Sequence, residues 1–480
     1  MAKCGGCGPG YATPRDAFLS KSIEKIVYIP CIVLDKSRPD YLVTVDVNPS
    51  SPTYSQVISR LHFPYIGDEI HHTGWNACSS CYDNPERSRS RLIVPGLGSD
   101  RIYVVDVKTD PKNPKLDKVV EPWEMHKFGV STPHTTHCLA DGDVMISTLG
   151  DGPEKNGKGS FLLLDGETFK PKGTYCKDGE TLPFGYDYWY QPFHNVMIST
   201  EWGHPRCFFG GLDLAHVEGG SYGTHLNVFD WTERKLIQKI DLGKEGVMPL
   251  EIRFLHDPKA TEGFVGCALF ANVFRFFKTA DGSWDAEKVI DIPNKKVDGW
   301  ILPEMPGVMT DIILSMDDKY LYFSNWLHGD VRQYDITDTR NPKLVGQIFL
   351  GGSILKGGPI TVTHDTELSV QPEVRYAKGK RIYGAPQMLQ LSLDGTRLYV
   401  TTSLFGPWDK QFYPDMVEKG SMLFKINVDT KNGGLQLDND FLVDFGDEPD
   451  GPVLAHEVRY PGGDCTSDIY LNNTSHLSKI

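Results

Sequence analysis

The feature that most constrains how this chain can fold is a hairpin that recurs along its length. Leu391-Ser-Leu-Asp-Gly-Thr-Arg-Leu-Tyr-Val-Thr-Thr402 shows it best, and Leu314-Ser-Met-Asp-Asp-Lys-Tyr-Leu-Tyr-Phe-Ser324 repeats it. Looser copies occupy 138–147, 191–199 and 254–267. In each, two short apolar runs flank residues that tolerate the positive φ of a two-residue turn. A companion pattern, an apolar or aromatic run usually closing on Asp, stands at 41–46, 102–106, 161–165, 226–230, 274–277, 331–335 and 423–427. Seven copies of a unit longer than the roughly 40–50 residues of a compact four-stranded repeat predict propeller blades with loop insertions. The expected fold is all-β, a seven-bladed β-propeller with loop insertions. No linker interrupts the repeat, so 1–480 is expected to be one domain, with a Cys/Gly-rich arm over 1–22 and a tail over 470–480. The best helical signal is one short segment, 409–420, ending at a glycine.

With 40% hydrophobic and 23% charged residues, a chain of 480 buries a large core without staples. A net charge of −14 makes nucleic acid and anionic membranes poor partners. No stretch approaches the roughly 20 apolar residues of a membrane span, and none is expected. Ten cysteines behind an N-terminus without an apolar signal core read as reduced thiols in a cytoplasmic protein. Ser478-Lys479-Ile480 resembles a peroxisomal address, which is the alternative compartment.

Blade topology sorts the 15 histidines. Starts of innermost strands and loops after second strands share one face, whereas hairpin turns lie on the other. His134 and His137 precede an Asp-Gly hairpin, His328 follows a second strand, His456 opens a short strand, and His71-His72 leads another. Imidazole is a common ligand of zinc, copper and iron, so several blades delivering it to one rim predict a metal site. The predicted ligands are His72, His134, His137, His328 and His456, with Glu251, Asp311 and Glu457 as orienting carboxylates. His134 and His137 are spaced i, i+3 on a strand, so both reach the centre only if the strand is bulged. His194 and His256 fall in hairpin turns and are expected to be structural.

Cys78-Ser-Ser-Cys81 follows the His71-His72 pair, and Cys4-Gly-Gly-Cys7 is a second Cys-x-x-Cys. Seventy residues between the pairs exceed the spacing of a compact zinc knot. Thiol chemistry at Cys78 and Cys81 beside the metal is the preferred reading. Cys465 follows the His456 segment toward the same face, while Cys31, Cys138, Cys176, Cys207 and Cys267 read as ordinary buried thiols.

Several long segments resemble one family. They include His71-His-Thr-Gly-Trp-Asn-Ala-Cys-Ser-Ser-Cys81, His134-Thr-Thr-His-Cys138, Tyr186-Asp-Tyr-Trp-Tyr-Gln-Pro192, Phe323-Ser-Asn-Trp-Leu-His-Gly-Asp330 and Leu454-Ala-His-Glu-Val-Arg-Tyr-Pro-Gly-Gly-Asp-Cys465. They are similar to the selenium-binding proteins, also called methanethiol oxidases, and the resemblance runs from Cys4 to Asp468. It implies a seven-bladed propeller that converts methanethiol, oxygen and water to formaldehyde, hydrogen sulfide and hydrogen peroxide. It also implies copper as cofactor and a small thiol and O2 as partners, and the residues' own reading adds Cys78, Cys81 and Glu457 as the expected catalytic groups. Mammalian members carry a selenium-linked cysteine in a Pro-x-Tyr-Cys-Gln segment. Here the stretch is Pro52-Thr-Tyr-Ser-Gln56, and Ser55 puts selenium carriage there in doubt. Two rivals remain at this point: a non-enzymatic selenium- or thiol-binding scaffold, and a calcium lactonase, which would favour a carboxylate rim.

Overall fold

The computed structural model describes residues 8–177 and 179–471. Cys4, Cys7, His476 and Ser478-Lys479-Ile480 lie outside them. Seven four-stranded antiparallel sheets make up most of the described chain, beside one three-stranded and one two-stranded sheet. This arrangement is consistent with a propeller.

The repeat seen in the sequence maps onto these sheets strand by strand. The five hairpins are the inner strand pairs, for example Leu389–Leu391 with Arg397–Thr401 and Met309–Leu314 with Tyr320–Asn325. Each of the seven companion segments forms the third strand of a sheet, from Tyr41–Asp46 to Met422–Val428. The turns use the expected chemistry. Gly395 has φ +71° and its N–H donates to Ser392 O at 2.9 Å, while Asp318 takes the equivalent position at φ 55°. Burial grades outward. Met309–Leu314 is buried throughout, whereas the outer strand Lys235–Asp241 alternates exposed and covered residues. Inner strands are thus covered on both faces and outer strands on one, as packed sheets require.

One sheet draws on both ends of the chain. Ile26–Ile32, Tyr41–Asp46 and Gln56–His62 form its outer part, and Leu454–Ala455 adds the inner edge with Cys31 opposite Ala455. Tyr28 pairs with Arg459 further along.

From Arg459 the chain crosses the end of the inner strands where the hairpin turns lie. Residues 464–471 are buried throughout. Trp75 Nε1 donates to Asp464 at 3.1 Å, Gln191 Nε2 to Tyr470 O at 3.2 Å, and Tyr470 OH approaches Met316 Sδ at 3.4 Å. His137 and His256 face the carbonyls of Ser467 and Cys465, each at 3.4 Å, and Thr466 donates to Gln390. With the Tyr28–Arg459 pairing, the segment touches all seven four-stranded sheets.

The predicted helix over 409–420 is two helices, Gly406–Phe412 and Pro414–Lys419. Pro414 lacks an N–H and disfavours helical backbone before it, so Tyr413 sits at φ −132°, ψ 60°. No helix among the described residues is long and apolar enough to cross a membrane.

Candidate metal centre

Three segments of chain deliver four imidazoles to one place. His71 and His72 follow Ile70, which bridges Gly96, and precede the inner strand Gly74–Trp75. His134 lies in the first half of Ser131–Cys138, and His456 comes directly after Leu454–Ala455. The rings pack against one another: His71 stacks on His456 at 3.7 Å, and His72 meets His134 at 4.1 Å between centroids. His71, His72 and His456 each offer a nitrogen within 4.8 Å of the others. All four side chains are buried.

Hydrogen bonds fix which nitrogen faces inward. His456 Nδ1 donates to Ser403 O at 2.9 Å, and His72 Nδ1 to Glu457 Oε1 at 3.1 Å. His134 Nδ1 lies 3.1 Å from Thr135 Oγ1. Nε2 of His72, His134 and His456 and Nδ1 of His71 have no hydrogen-bond partner. A buried polar atom without a partner costs about 1–3 kcal/mol. The nitrogens of His71, His72 and His456 lie close enough together to form a donor set for a metal that takes neutral nitrogen, with His134 packed beside them and the His72 and His456 rings held through Nδ1.

Electrostatics keep the imidazoles neutral. Burial pulls His72 and His456 down to about 3, with Arg459 and His72 as the respective next causes. Burial and the neighbouring rings hold His71 and His134 well below the ordinary value. The His72–Glu457 contact is therefore a hydrogen bond from a neutral ring rather than an ion pair. Glu457 is fixed by Arg459 Nη2 at 2.5 Å and by the Thr73 N–H and hydroxyl. Glu251 Oε1 sits 3.8 Å from His72 Nε2 with no hydrogen-bond partner, and burial beside Asp187 pushes this carboxyl well up. Its other oxygen accepts from Arg253 at 2.8 Å. Asp311, which takes the Leu389 N–H at 2.7 Å, is raised by burial to about 7.

The other candidates lie elsewhere. The register of Ser131–Cys138 shifts between Pro133 and Thr136, and this irregularity lets both His134 and His137 bury. They do so at different levels, and His137 packs among Tyr188, Trp189 and Tyr190. His328 donates from Nε2 to Met305 O at 3.1 Å and has no ring contact with the cluster. Cys78 and Cys81 follow the inner strand Gly74–Trp75, whereas His71 and His72 precede it, so the pair stands at the opposite end. Cys81 Sγ contacts Leu139 O, just past the end of the His134 strand. Four residues at about 3.3 Å each put Cys138 roughly 13 Å along that strand from His134.

The cysteine reading is corrected on two points. Cys78 is paired with Cys138, 6.4 Å away between Cα atoms, so these are not ordinary reduced thiols. The partners lie 60 residues apart, and spacing along the chain gives no hint of the pairing. Cys465 is at the far end, against His256, rather than beside the imidazoles. Ser55, at φ 62°, ties down a neighbouring strand by donating to Leu442 O at 2.6 Å and accepting from its N–H at 3.0 Å. Sequence reasoning gave no role to Tyr186, whose ring lies 4.1 Å from His134, or to Phe405, 5.8 Å from His71. Tyr186 opens one of the segments that carry the family resemblance, a signal that pointed at it, whereas Phe405 stands in no such segment.

Comparison with known proteins agrees across the chain. A Xenopus laevis protein named methanethiol oxidase is 63% identical over 474 residues, covering 98% of this chain and all of the relative. A Mus musculus methanethiol oxidase is 61% identical, covering 98% and 99%. The crystal structure of a "hypothetical selenium-binding protein" from Sulfolobus tokodaii is 39% identical with a TM-score of 0.84, covering 96% of this chain and 98% of that one. The model of the 56 kDa selenium-binding protein family matches residues 5–471, and the chain belongs to that family.

Proposed function

We propose that this chain is a methanethiol oxidase. It takes methanethiol, oxygen and water to formaldehyde, hydrogen sulfide and hydrogen peroxide, at a copper held by His71, His72, His134 and His456. The observation that carries the reading is the buried group of His71, His72 and His456, whose nitrogens lie within 4.8 Å of one another, with the unpartnered Nε2 of His134 on a ring packed against them. Relatives above 60% identity bear that enzyme's name. In this reading the seven sheets are the blades of a single-domain propeller spanning 1–480, working in the cytoplasm.

Imidazole donors suit copper, zinc and iron, but zinc has no redox chemistry, and oxidation of a thiol by oxygen needs a metal that does. Bound there, copper would supply a redox-active centre with affinity for sulfur, which lowers the pKa of a bound thiol. The protein's own groups do the rest. Glu457 and the Ser403 carbonyl keep the Nδ1 protons of His72 and His456 in place, so each Nε2 stays a free donor. Glu251, kept protonated by burial and Asp187, offers Oε1 to hold or pass a proton beside His72.

The test is metal content by mass spectrometry together with hydrogen peroxide release on adding methanethiol. The expected result is about one copper per chain with peroxide formed, and both lost in His72→Ala and His456→Ala. Protein that stays metal-free after copper loading and yields no peroxide would leave a thiol-binding scaffold as the surviving reading.

A further inference from the structure

The imidazole cluster is closed at both ends of the inner strands. On the cysteine side, residues 464–471 fill the space between the sheets. On the other side two loops meet over the rings, carrying helices Pro205–Phe208 and Gly406–Phe412. Phe405 points its ring at His71 from 5.8 Å. Trp202 stacks on Phe208 at 3.8 Å and lies 5.8 Å from Phe405. The loops are tied together: Trp408 Nε1 donates to Phe208 O at 3.0 Å, and Gln411 exchanges bonds of 2.8 and 2.9 Å with Leu212. Trp202, Phe208, Phe405 and Trp408 are all buried.

We propose that this aromatic roof is the specificity element of the site, admitting small, uncharged thiols and turning away thiols that are charged or long-chained. The inference rests on the oxidase reading. A group entering from water past Phe405 and Trp202 gives up its hydration and meets apolar ring surface. A methyl thiol loses little by this, whereas an ammonium or carboxylate loses several kcal/mol per charge, and the carboxylates built into the roof are already engaged, Asp409 by Ser403 and the Leu404 N–H and Glu69 by the Gly406 N–H. Chain length is filtered as well, because closely packed rings leave a longer alkyl thiol no room without displacing side chains. The abundant cellular thiols are amino-acid or peptide thiols and carry charge, so the roof separates methanethiol from them by chemistry rather than by shape alone.

The full-length protein, Phe405→Leu, Trp202→Leu and the milder Gln411→Ala supply the test. Gln411 is exposed, so losing its bonds to Leu212 loosens the roof without touching the core. Access is read on metal-free protein from the rate at which diethyl pyrocarbonate acylates His71, His72, His134 and His456, followed by peptide mass spectrometry. Selectivity is read on copper-loaded protein from peroxide release with methanethiol, ethanethiol, butanethiol and glutathione. In the wild type we expect kcat/KM to fall about tenfold or more per added methylene, with no turnover of glutathione. In the roof variants the butanethiol-to-methanethiol ratio rises about tenfold and acylation quickens similarly, Gln411→Ala less than the others. Wild-type histidines acylated as fast as in all three variants, or butanethiol and glutathione consumed as readily as methanethiol, would overturn the proposal. If no thiol yields peroxide the oxidase reading falls, and the acylation rates still decide whether the roof controls entry.

Discussion

The two ends of the inner strands are built from similar polar residues and treat them in opposite ways. At the cysteine end, Asp464 accepts from Trp75 on one oxygen and from the N–H and hydroxyl groups of Thr466 and Ser467 on the other. Asp468 takes Arg89 Nη2 at 2.7 Å and the Ser79 hydroxyl at 2.7 Å. At the histidine end, four ring nitrogens and a carboxylate oxygen are buried with no hydrogen-bond partner. The cysteine end is the better paired of the two, with Arg89 Nη1 and His137 Nε2 as its exceptions; at the histidine end the unpaired atoms cluster, a cost in stability that makes sense where donors are needed. The better-paired end ties neighbouring sheets to one another through 464–471, and the bare end is available for chemistry.

The largest test of this division is the residue that spans it. Arg459 bonds Glu457 and the Thr73 carbonyl on the imidazole side, and Thr466 and Gln390 on the other. Arg459→Met strands buried Glu457 and should cost about 3–5 kcal/mol in denaturant unfolding. Because Glu457 orients His72, metal uptake should weaken as well. A variant that loses stability but keeps full metal affinity would show that Arg459 serves only the cysteine end. Cys138→Ser comes next. Removing the bridge to Cys78 should cost about 2–4 kcal/mol under oxidising conditions, with copper content unchanged. If copper content falls in step, the ends are one site and the division fails.

What the sequence made legible follows the same line. Hairpin turns and alternation are local signals, so the strands and their grouping were readable from segments such as 391–402. His72, His134 and His456 could be gathered from strand order alone, because each stands near the start of an inner strand. His137 and His328 were grouped with them by the same rule. The rule is blind to level along a strand and to distance from the centre: His137 sits three residues nearer the turn, and His328 lies beyond a second strand. The Cys78–Cys81 pair followed His72 closely in sequence, but the strand Gly74–Trp75 between them carries it to the far end. The roof joins loops 200 residues apart, and the crossing segment 464–471 meets residues as many as 389 positions away; no local pattern reports such contacts.

A smaller effect isolates the histidine end. Glu457→Gln keeps size and shape but removes the charge that holds the Nδ1 proton of His72. Copper affinity, measured by competition with a chelator of known strength, should drop about 10- to 100-fold while the unfolding midpoint moves little. An unchanged affinity would mean that His72 is oriented by its packing against His134 alone.

The last effect is absent at neutral pH and appears only as a slope in acid. Burial holds His137 down at about 4, against about 6.5 in an unfolded chain. Below pH 6.5 the unfolded state binds a proton there that the folded state refuses, so this ring leaves stability untouched at neutral pH. As pH falls from 6.5 toward 4, the ring lowers stability by about 1.4 kcal/mol per pH unit, and the loss levels off once the folded form also protonates. His137→Gln, placed where Ser467 O can still be met, should make the acid branch of unfolding free energy against pH shallower by that amount between pH 6 and 4.5. The neutral plateau should shift only by the small cost of repacking beside Trp189. An acid slope that does not change would mean that His137 already carries its proton in the folded state, balanced by Asp187. The cysteine end would then hold a second buried ion pair beside that of Arg89 and Asp468.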